Sequence, residues 1–212
     1  MKRVYLLPLF FLYTAVCGQA IYPRWNVGVN PLSVIESMPS IGPCVSYRFS
    51  QKLEAWGETS VIFGNLYAKS LGTNVSGYRF IVQPRFYPGK KHLFFIAVEF
   101  RLKQYSYNSS GTFINHSTNA TLQNFPYKAS QVLPGWAFVF GKQMIMSQNH
   151  HLYLDLTVGF GSKQRNITIK NKPAGYEYNY VSPRSYVPQY GANNTESVYF
   201  PVGVRLMWRL NN

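Results

Sequence analysis

Cysteine is nearly absent from this chain. Of two in 212 residues, Cys17 and Cys44, only Cys44 lies beyond the first twenty positions. A lone thiol cannot close an intramolecular disulfide, and no Cys/His cluster has the spacing that zinc requires. Acids are also scarce: 7 Asp+Glu stand against 21 Lys+Arg, for a formal net charge of +14. Charged residues make up 13% of the chain, about half the usual share of a soluble domain. Long apolar runs are missing as well. After residue 20 the longest is 93–98, which Glu99 ends, whereas a spanning helix needs about 20 such residues. Aromatics, by contrast, reach 17%, which excludes a disordered chain.

The first twenty residues read as an export leader. Lys2 and Arg3 form a positive start, 4–16 an apolar stretch too short to span, and Gly18, Gln19 and Ala20 a small or polar end. Cleavage after Gly18 or after Ala20 suits this pattern. Thr14-Ala15-Val16 before Cys17 is a poor lipoprotein signal. The expected organisation is a cleaved signal peptide, 1–20, and one domain, 21–212.

The rest of the chain alternates apolar and polar residues with the strand period of two. Eight segments show it: 25–35, 41–49, 53–63, 78–87, 93–105, 135–141, 152–161 and 199–210. In the clearest, Phe94, Ile96, Val98, Phe100 and Leu102 oppose Phe95, Ala97, Glu99, Arg101 and Lys103. The connections 50–52, 88–92 and 142–151 are short and basic. Of the others, 36–40 is short, while 65–76, 104–131 and 162–198 are long.

Two closed architectures suit such a pattern. A lipocalin-like barrel is apolar inside and polar outside; a membrane barrel has the opposite parity, since in lipid every backbone group must be paired and every lipid-facing residue apolar. Bulky rows such as Trp136, Phe138 and Phe140 would be misplaced in water, and the opposite rows carry arginine and glutamate. The expectation is therefore an all-β, eight-stranded antiparallel up-and-down transmembrane β-barrel with short periplasmic turns and long outer loops. Pro31, Pro43, Pro84, Pro134 and Pro201 are expected near strand ends, where a missing donor is tolerated.

Several stretches resemble the small outer-membrane β-barrel proteins of the Bacteroidetes type: Asn30-Pro31-Leu32, Ser40-Ile41-Gly42-Pro43, Gln83-Pro84-Arg85-Phe86-Tyr87, Phe100-Arg101-Leu102-Lys103 and the closing Gly203-Val204-Arg205-Leu206-Met207-Trp208. The last looks like the terminal-strand signal of barrel assembly, although Arg209-Leu210-Asn211-Asn212 follow the aromatic. The resemblance implies the outer membrane of a Gram-negative bacterium and brings no activity with it.

Inward parity collects Arg48, Glu54, Glu58, Arg79, Arg85, Glu99, Arg101, Lys103, Asp155, Arg205 and Arg209. They can form an ion-pair plug, or else a conduit or acid–base set; the narrow bore of eight strands favours the plug. The turn at 50–52 sets Arg48 opposite Glu54, and that at 88–92 sets Glu99 diagonal to Arg79. Lys69, Lys128, Lys163, Arg165, Lys170, Lys172 and Arg184 fall in the expected outer loops, where lipopolysaccharide phosphate is the nearest anion; nucleic acid is not an expected partner of an exported chain. Tyr176, Tyr178, Tyr180, Tyr186 and Tyr190 give 162–198 an adaptable contact surface, or pack on strands that extend past the membrane. Either this loop or 104–131 can serve another surface protein. Asn74, Asn108, Asn115, Asn119, Asn166 and Asn193 begin N-x-S/T triplets, which in a bacterial barrel are ordinary polar loop sequence.

Some barrels of this size modify lipid with Ser and His at the outer rim. Here His116 with Ser117 is the single loop candidate, while His92, His150 and His151 fall at inner turns. No catalytic residue, metal or cofactor is expected. The function expected is a structural or surface-interaction role, with a lipid-modifying enzyme or a narrow pore as the alternatives.

Overall fold

The structure, a computed structural model, describes residues 25–34, 38–64, 73–88, 93–147, 151–178 and 195–210. The leader expected at 1–20, the bases Lys69 and Arg184, the histidines His92 and His150, Asn193 and the tyrosines Tyr180, Tyr186 and Tyr190 lie outside these residues.

The described residues are all-β apart from one 3-10 turn, Pro31–Val34. The strands are β1 (Trp25–Val29), β2 (Ser40–Ile41), β3 (Pro43–Arg48), β4 (Leu53–Ile62), β5 (Thr73–Phe86), β6 (Phe94–Asn115), β7 (Ala120–Ile145), β8 (Leu152–Ile169), β9 (Glu177–Tyr178), β10 (Thr195–Tyr199) and β11 (Val202–Arg209). Every pairing is antiparallel. Pairing runs β1–β3–β4–β5–β6–β7–β8–β11 and returns to β1, where Asn26 faces Arg209 and Val29 faces Leu206. The sheet therefore closes into a ring. Closure removes the two edges that an open sheet would leave with unpaired backbone groups.

Two strands are broken without loss of register. Between β2 and β3 the chain passes Gly42, where a Cβ would overlap the Thr59 carbonyl; only glycine allows so close a backbone approach. Between β10 and β11 it passes Phe200-Pro201. Pro201 has no N–H to give, but its carbonyl accepts from Gly159 N at 2.9 Å.

The two faces differ in chemistry. Outward residues are apolar on successive strands: Val27, Val45, Val61, Phe80, Phe100, Phe138, Phe160 and Val202 are all exposed, Val61 at 62% and Phe100 at 55%. Inward residues mix charge with large apolar groups. Trp56, Ile81, Phe95, Tyr153 and Met207 are buried beside Arg79, Arg85 and Asp155, so the interior is less uniformly polar than alternation with charge suggests.

Several expectations change. The stretch 104–131 is not a loop. β6 and β7 continue through it as a hairpin whose turn is only 116–119. β5 reaches along this hairpin as far as Asn108, and β8 as far as Ala129. Beyond those points Lys128 O still accepts from Lys170 N at 2.8 Å, and among the described residues the rest of the hairpin pairs with the short β9, at Phe113 and Ile114. Its outer part is held by rings: Phe113 meets Phe125, Tyr127 and Tyr178 at 5.3–5.8 Å between centroids. Part of 162–198 is also strand, since β8 runs to Ile169. Pro134 lies inside β7 rather than at a strand end. The β7–β8 ladder is interrupted there, between Val132↔Asn166 and Gly135↔Lys163, as a missing donor requires.

Candidate functional site

The ring interior holds the densest chemistry in the molecule. Eight charged residues are buried: Arg48, Arg79, Arg85 and Arg205 against Glu54, Glu58, Glu99 and Asp155. Half-buried Arg101, Lys103 and Arg209 share the same inward faces.

Register explains how they meet. Arg48 pairs with Glu54 across β3–β4, and Glu54 with Arg85 across β4–β5. Arg205 on β11 pairs with Asp155 on β8. At the centre, Arg85 Nη1 donates to Asp155 Oδ2 at 2.7 Å and to Glu54 Oε1 at 3.2 Å. Its Nε and Nη2 donate to Gln83 Oε1 at 3.0 and 2.8 Å. The guanidinium also lies over the Phe95 ring at 4.2 Å and near that of Trp56 at 4.8 Å. Toward the short turns, Tyr87 donates its hydroxyl to Glu54 Oε2 at 2.7 Å, and Gln143 donates to Tyr87 at 2.9 Å. Arg48 stacks on the Tyr87 ring at 4.0 Å.

Glu58 anchors a second group. Its Oε1 pairs with Arg79 and accepts from Ser60 at 2.9 Å; its Oε2 accepts from Asn30 at 3.1 Å and faces Arg205 Nε at 3.8 Å. Arg205 in turn donates to Thr157 Oγ1 at 3.0 Å and covers the Trp56 ring at 4.1 Å. Cys44 is fully buried with its sulfur 3.7 Å from Glu58 Oε2.

Glu99 is not diagonal to Arg79. Arg79 stands opposite Lys103 and takes Glu58 as its partner. Glu99 accepts from Gln83 at 2.7 Å and pairs with Arg101 at 3.0 Å. Arg209 is half-buried near the Tyr153 ring, at 5.6 Å.

The bases assigned to outer loops separate into two kinds. Lys128, Lys170 and Lys172 are exposed. Lys163 and Arg165 lie instead within β8, half-buried and on the face that turns inward. The polar second half of β8 shows no greasy row, so alternation in the sequence does not mark these two residues as strand.

His116 is solvent-exposed and lies 3.5 Å from Glu177, while the Ser117 amide is held by Asn115 Oδ1 at 2.9 Å. His151 Nδ1 lies 3.4 Å from the Arg209 carbonyl oxygen. Among the described residues no group of three His, Cys, Asp or Glu side chains is arranged to hold a metal. What the interior can do chemically is bind arginine to carboxylate and aromatic ring, and fill space. Neither a family profile, nor a curated protein, nor a solved structure matches the chain.

Proposed function

We propose that the closed sheet is an eight-stranded transmembrane β-barrel of a bacterial outer membrane, exported by the leader at 1–20, with a non-catalytic structural or surface-interaction role. The eight staves are β1, β2 with β3, β4, β5, β6, β7, β8, and β10 with β11.

The observation that carries this reading is the apolar outer face of every stave. On β5 it extends from Tyr78 to Phe86. Nine residues at about 3.4 Å each, tilted by about 40°, give a band roughly 21–24 Å tall, close to the thickness a bilayer presents to a barrel. Aromatic residues edge it. Near the short turns Trp25 and Tyr47 stack at 4.7 Å, with Phe49 4.9 Å further on. Toward the long connections stand Tyr78, Phe80 and Trp136. Such girdles suit the two interfaces of a membrane. Lys142 points outward over Phe94, its ammonium 5.1 Å from the ring, as a snorkelling side chain does. In water an apolar surface this large would aggregate. The packed interior, with its buried ion pairs, supports a plug rather than a conduit, because the bore of eight staves is filled by side chains.

Spin labels at Val98 and Arg101 test the side assignment. Val98 is expected to be reached by lipid-soluble oxygen and shielded from aqueous nickel chelates, with Arg101 showing the reverse. A water-soluble particle with Val98 shielded from both would end the reading.

The surface role is placed on the projecting β6–β7 hairpin, which stands clear of the ring strands. Replacing residues 110–126 by a two-residue Asn-Gly turn removes the projection and spares every pairing of β6 with β5 and of β7 with β8. The shortened protein is expected to fold normally and to lose whatever the full-length protein co-purifies from detergent-solubilised outer membranes. Unchanged co-purification would remove the hairpin from the proposal.

A further inference from the structure

The outward face of β5, β6, β7 and β8 changes chemistry in steps above the apolar band, and cross-strand register arranges it in rows. Val82, Phe100, Trp136 and Ser162 form the row of the aromatic girdle. Four residues further along each strand stand Tyr78, Gln104, Val132 and Asn166, where the Tyr78 hydroxyl donates to Gln104 Oε1. The next row carries a hydroxyl on every strand: Ser76, Ser106, Ser130 and Thr168. None of these four is buried.

The last row of the β7–β8 ladder is cationic. Asn108 faces Lys128 across β6–β7, and Lys170 N donates to Lys128 O at 2.8 Å across β7–β8. Both lysines are exposed, and so is Lys172. Their side chains share the outward face, because Ala129 and Ile167, which have the opposite parity, pack in the interior cluster of Met38 and Tyr105. Like charges directly opposite on a sheet repel. Among the described residues no ion pair relieves them. Glu54, Glu58, Glu99 and Asp155 are buried in the ring, Glu177 lies beside His116, and Glu196 accepts from Ser162 at 2.6 Å, at the level of the girdle. Glu36 lies outside the described residues.

Height selects the partner. Along β7, Lys128 stands eight residues beyond Trp136. At about 3.4 Å per residue and a tilt of about 40°, that is roughly 20 Å along the membrane normal. A phospholipid carries its phosphate next to the hydrocarbon, too low to meet these lysines. The order of rows, from apolar through hydroxyl to cation, fits an amphiphile whose sugars lie between its chains and its anionic groups. Serine and threonine hydroxyls can both donate to and accept from sugar hydroxyls, and ammonium groups take phosphate or carboxylate oxygens.

We propose that this outward face is a docking surface for lipopolysaccharide of the outer leaflet. Its acyl chains lie along Phe138 and Phe160, its sugars along Ser106, Ser130 and Thr168, and a phosphate or carboxylate of its core between Lys128 and Lys170. The proposal rests on the reading of the ring as an outer-membrane barrel with its long connections outside, and it extends that reading by naming a partner and the rows that receive it.

The test uses the full chain folded in a neutral detergent. The probe is fluorescein-labelled rough lipopolysaccharide, which has a short core and no O-polysaccharide, and anisotropy is the readout. Wild type is expected to bind it saturably, with phosphatidylglycerol competing less well than unlabelled lipopolysaccharide. K128M/K170M should weaken binding about tenfold, from two charge-assisted contacts at a solvated surface, and S106A/S130A about threefold. K52M, which removes an exposed base at a short turn, should leave it unchanged. If K128M/K170M fails to fold, judged by gel mobility before heating, K170Q replaces it and must weaken binding at least about threefold. No saturable binding by wild type, wild-type binding by K128M/K170M, or an equal loss in K52M would overturn the surface. Phosphatidylglycerol competing as well as lipopolysaccharide would overturn it too, since charge alone would then suffice. So would an acidic protein that co-purifies in place of lipopolysaccharide and is lost with K128M/K170M. The spin label at Val98 separates the two readings. A lipid-exposed Val98 without lipopolysaccharide binding ends the docking surface alone; a shielded Val98 in a water-soluble particle ends both.

Discussion

Replacing Arg85 by methionine is expected to destabilise the folded protein by about 3–5 kcal/mol, the usual cost of removing one partner from a buried ion pair. Arg85 is fully buried and bonds Asp155, Glu54 and Gln83 while packing on Phe95 and Trp56. Methionine keeps much of the apolar packing and leaves Asp155 and Glu54 facing each other without the cation. The loss is therefore electrostatic rather than a cavity. Urea unfolding of the detergent- or vesicle-folded protein, followed by tryptophan fluorescence, measures it. Adding Asp155→Asn to Arg85→Met should restore part of the stability, because one stranded charge is removed and the two sites are in contact. An Arg85→Met protein within about 1 kcal/mol of wild type would mean that water hydrates this layer and that the plug is loosely built.

The second large effect is on the other face. Phe138 pairs with Val98 at mid-height of the apolar band, between Trp136 and Phe160, whose rings lie 5.6 and 5.9 Å from its own. Phe138→Arg is expected to cost about 2–4 kcal/mol of folding into lipid vesicles, the penalty for a cation at bilayer mid-depth on a barrel wall. Phe138→Leu should cost less than about 1.5 kcal/mol. Reversible urea titration of vesicle-bound protein reads both. The sign discriminates as well as the size: on a wall facing water, arginine at this exposed position would be neutral or would improve solubility. A Phe138→Arg protein that folds into vesicles like wild type refutes the lipid-facing assignment.

The fold was legible wherever the two faces of a strand meet different surroundings. Residues 93–105 announced β6 and both of its sides, because Phe94, Ile96 and Phe100 are exposed while Phe95, Ala97 and Glu99 are buried. The signal ends where that contrast ends. In Ser106–Asn115 and Ala120–Leu133 neither face consists of a bulky apolar row, so a long hairpin read as a loop. The same lack of contrast hides Lys163 and Arg165 within β8. Which residues turn inward followed from parity alone, but who pairs with whom depends on register. Arg48 met Glu54 because the turn at 50–52 is short enough to fix the offset. Glu99 was set against Arg79 on a turn whose geometry no residue specifies, and the strands align it with Gln83 instead.

The seam between β1 and β11 joins Trp25–Val29 to residues 206–209, nearly the whole described chain apart. No local contact can stand in for it, and loops of that length close slowly. Until the last strand arrives, β1 and β8 each offer a bare row of amides and carbonyls to any passing strand, including one from a sister molecule. The ring is therefore complete only when β11 has met both β1 and β8, and an unpaired edge in the meantime favours association between unfinished chains.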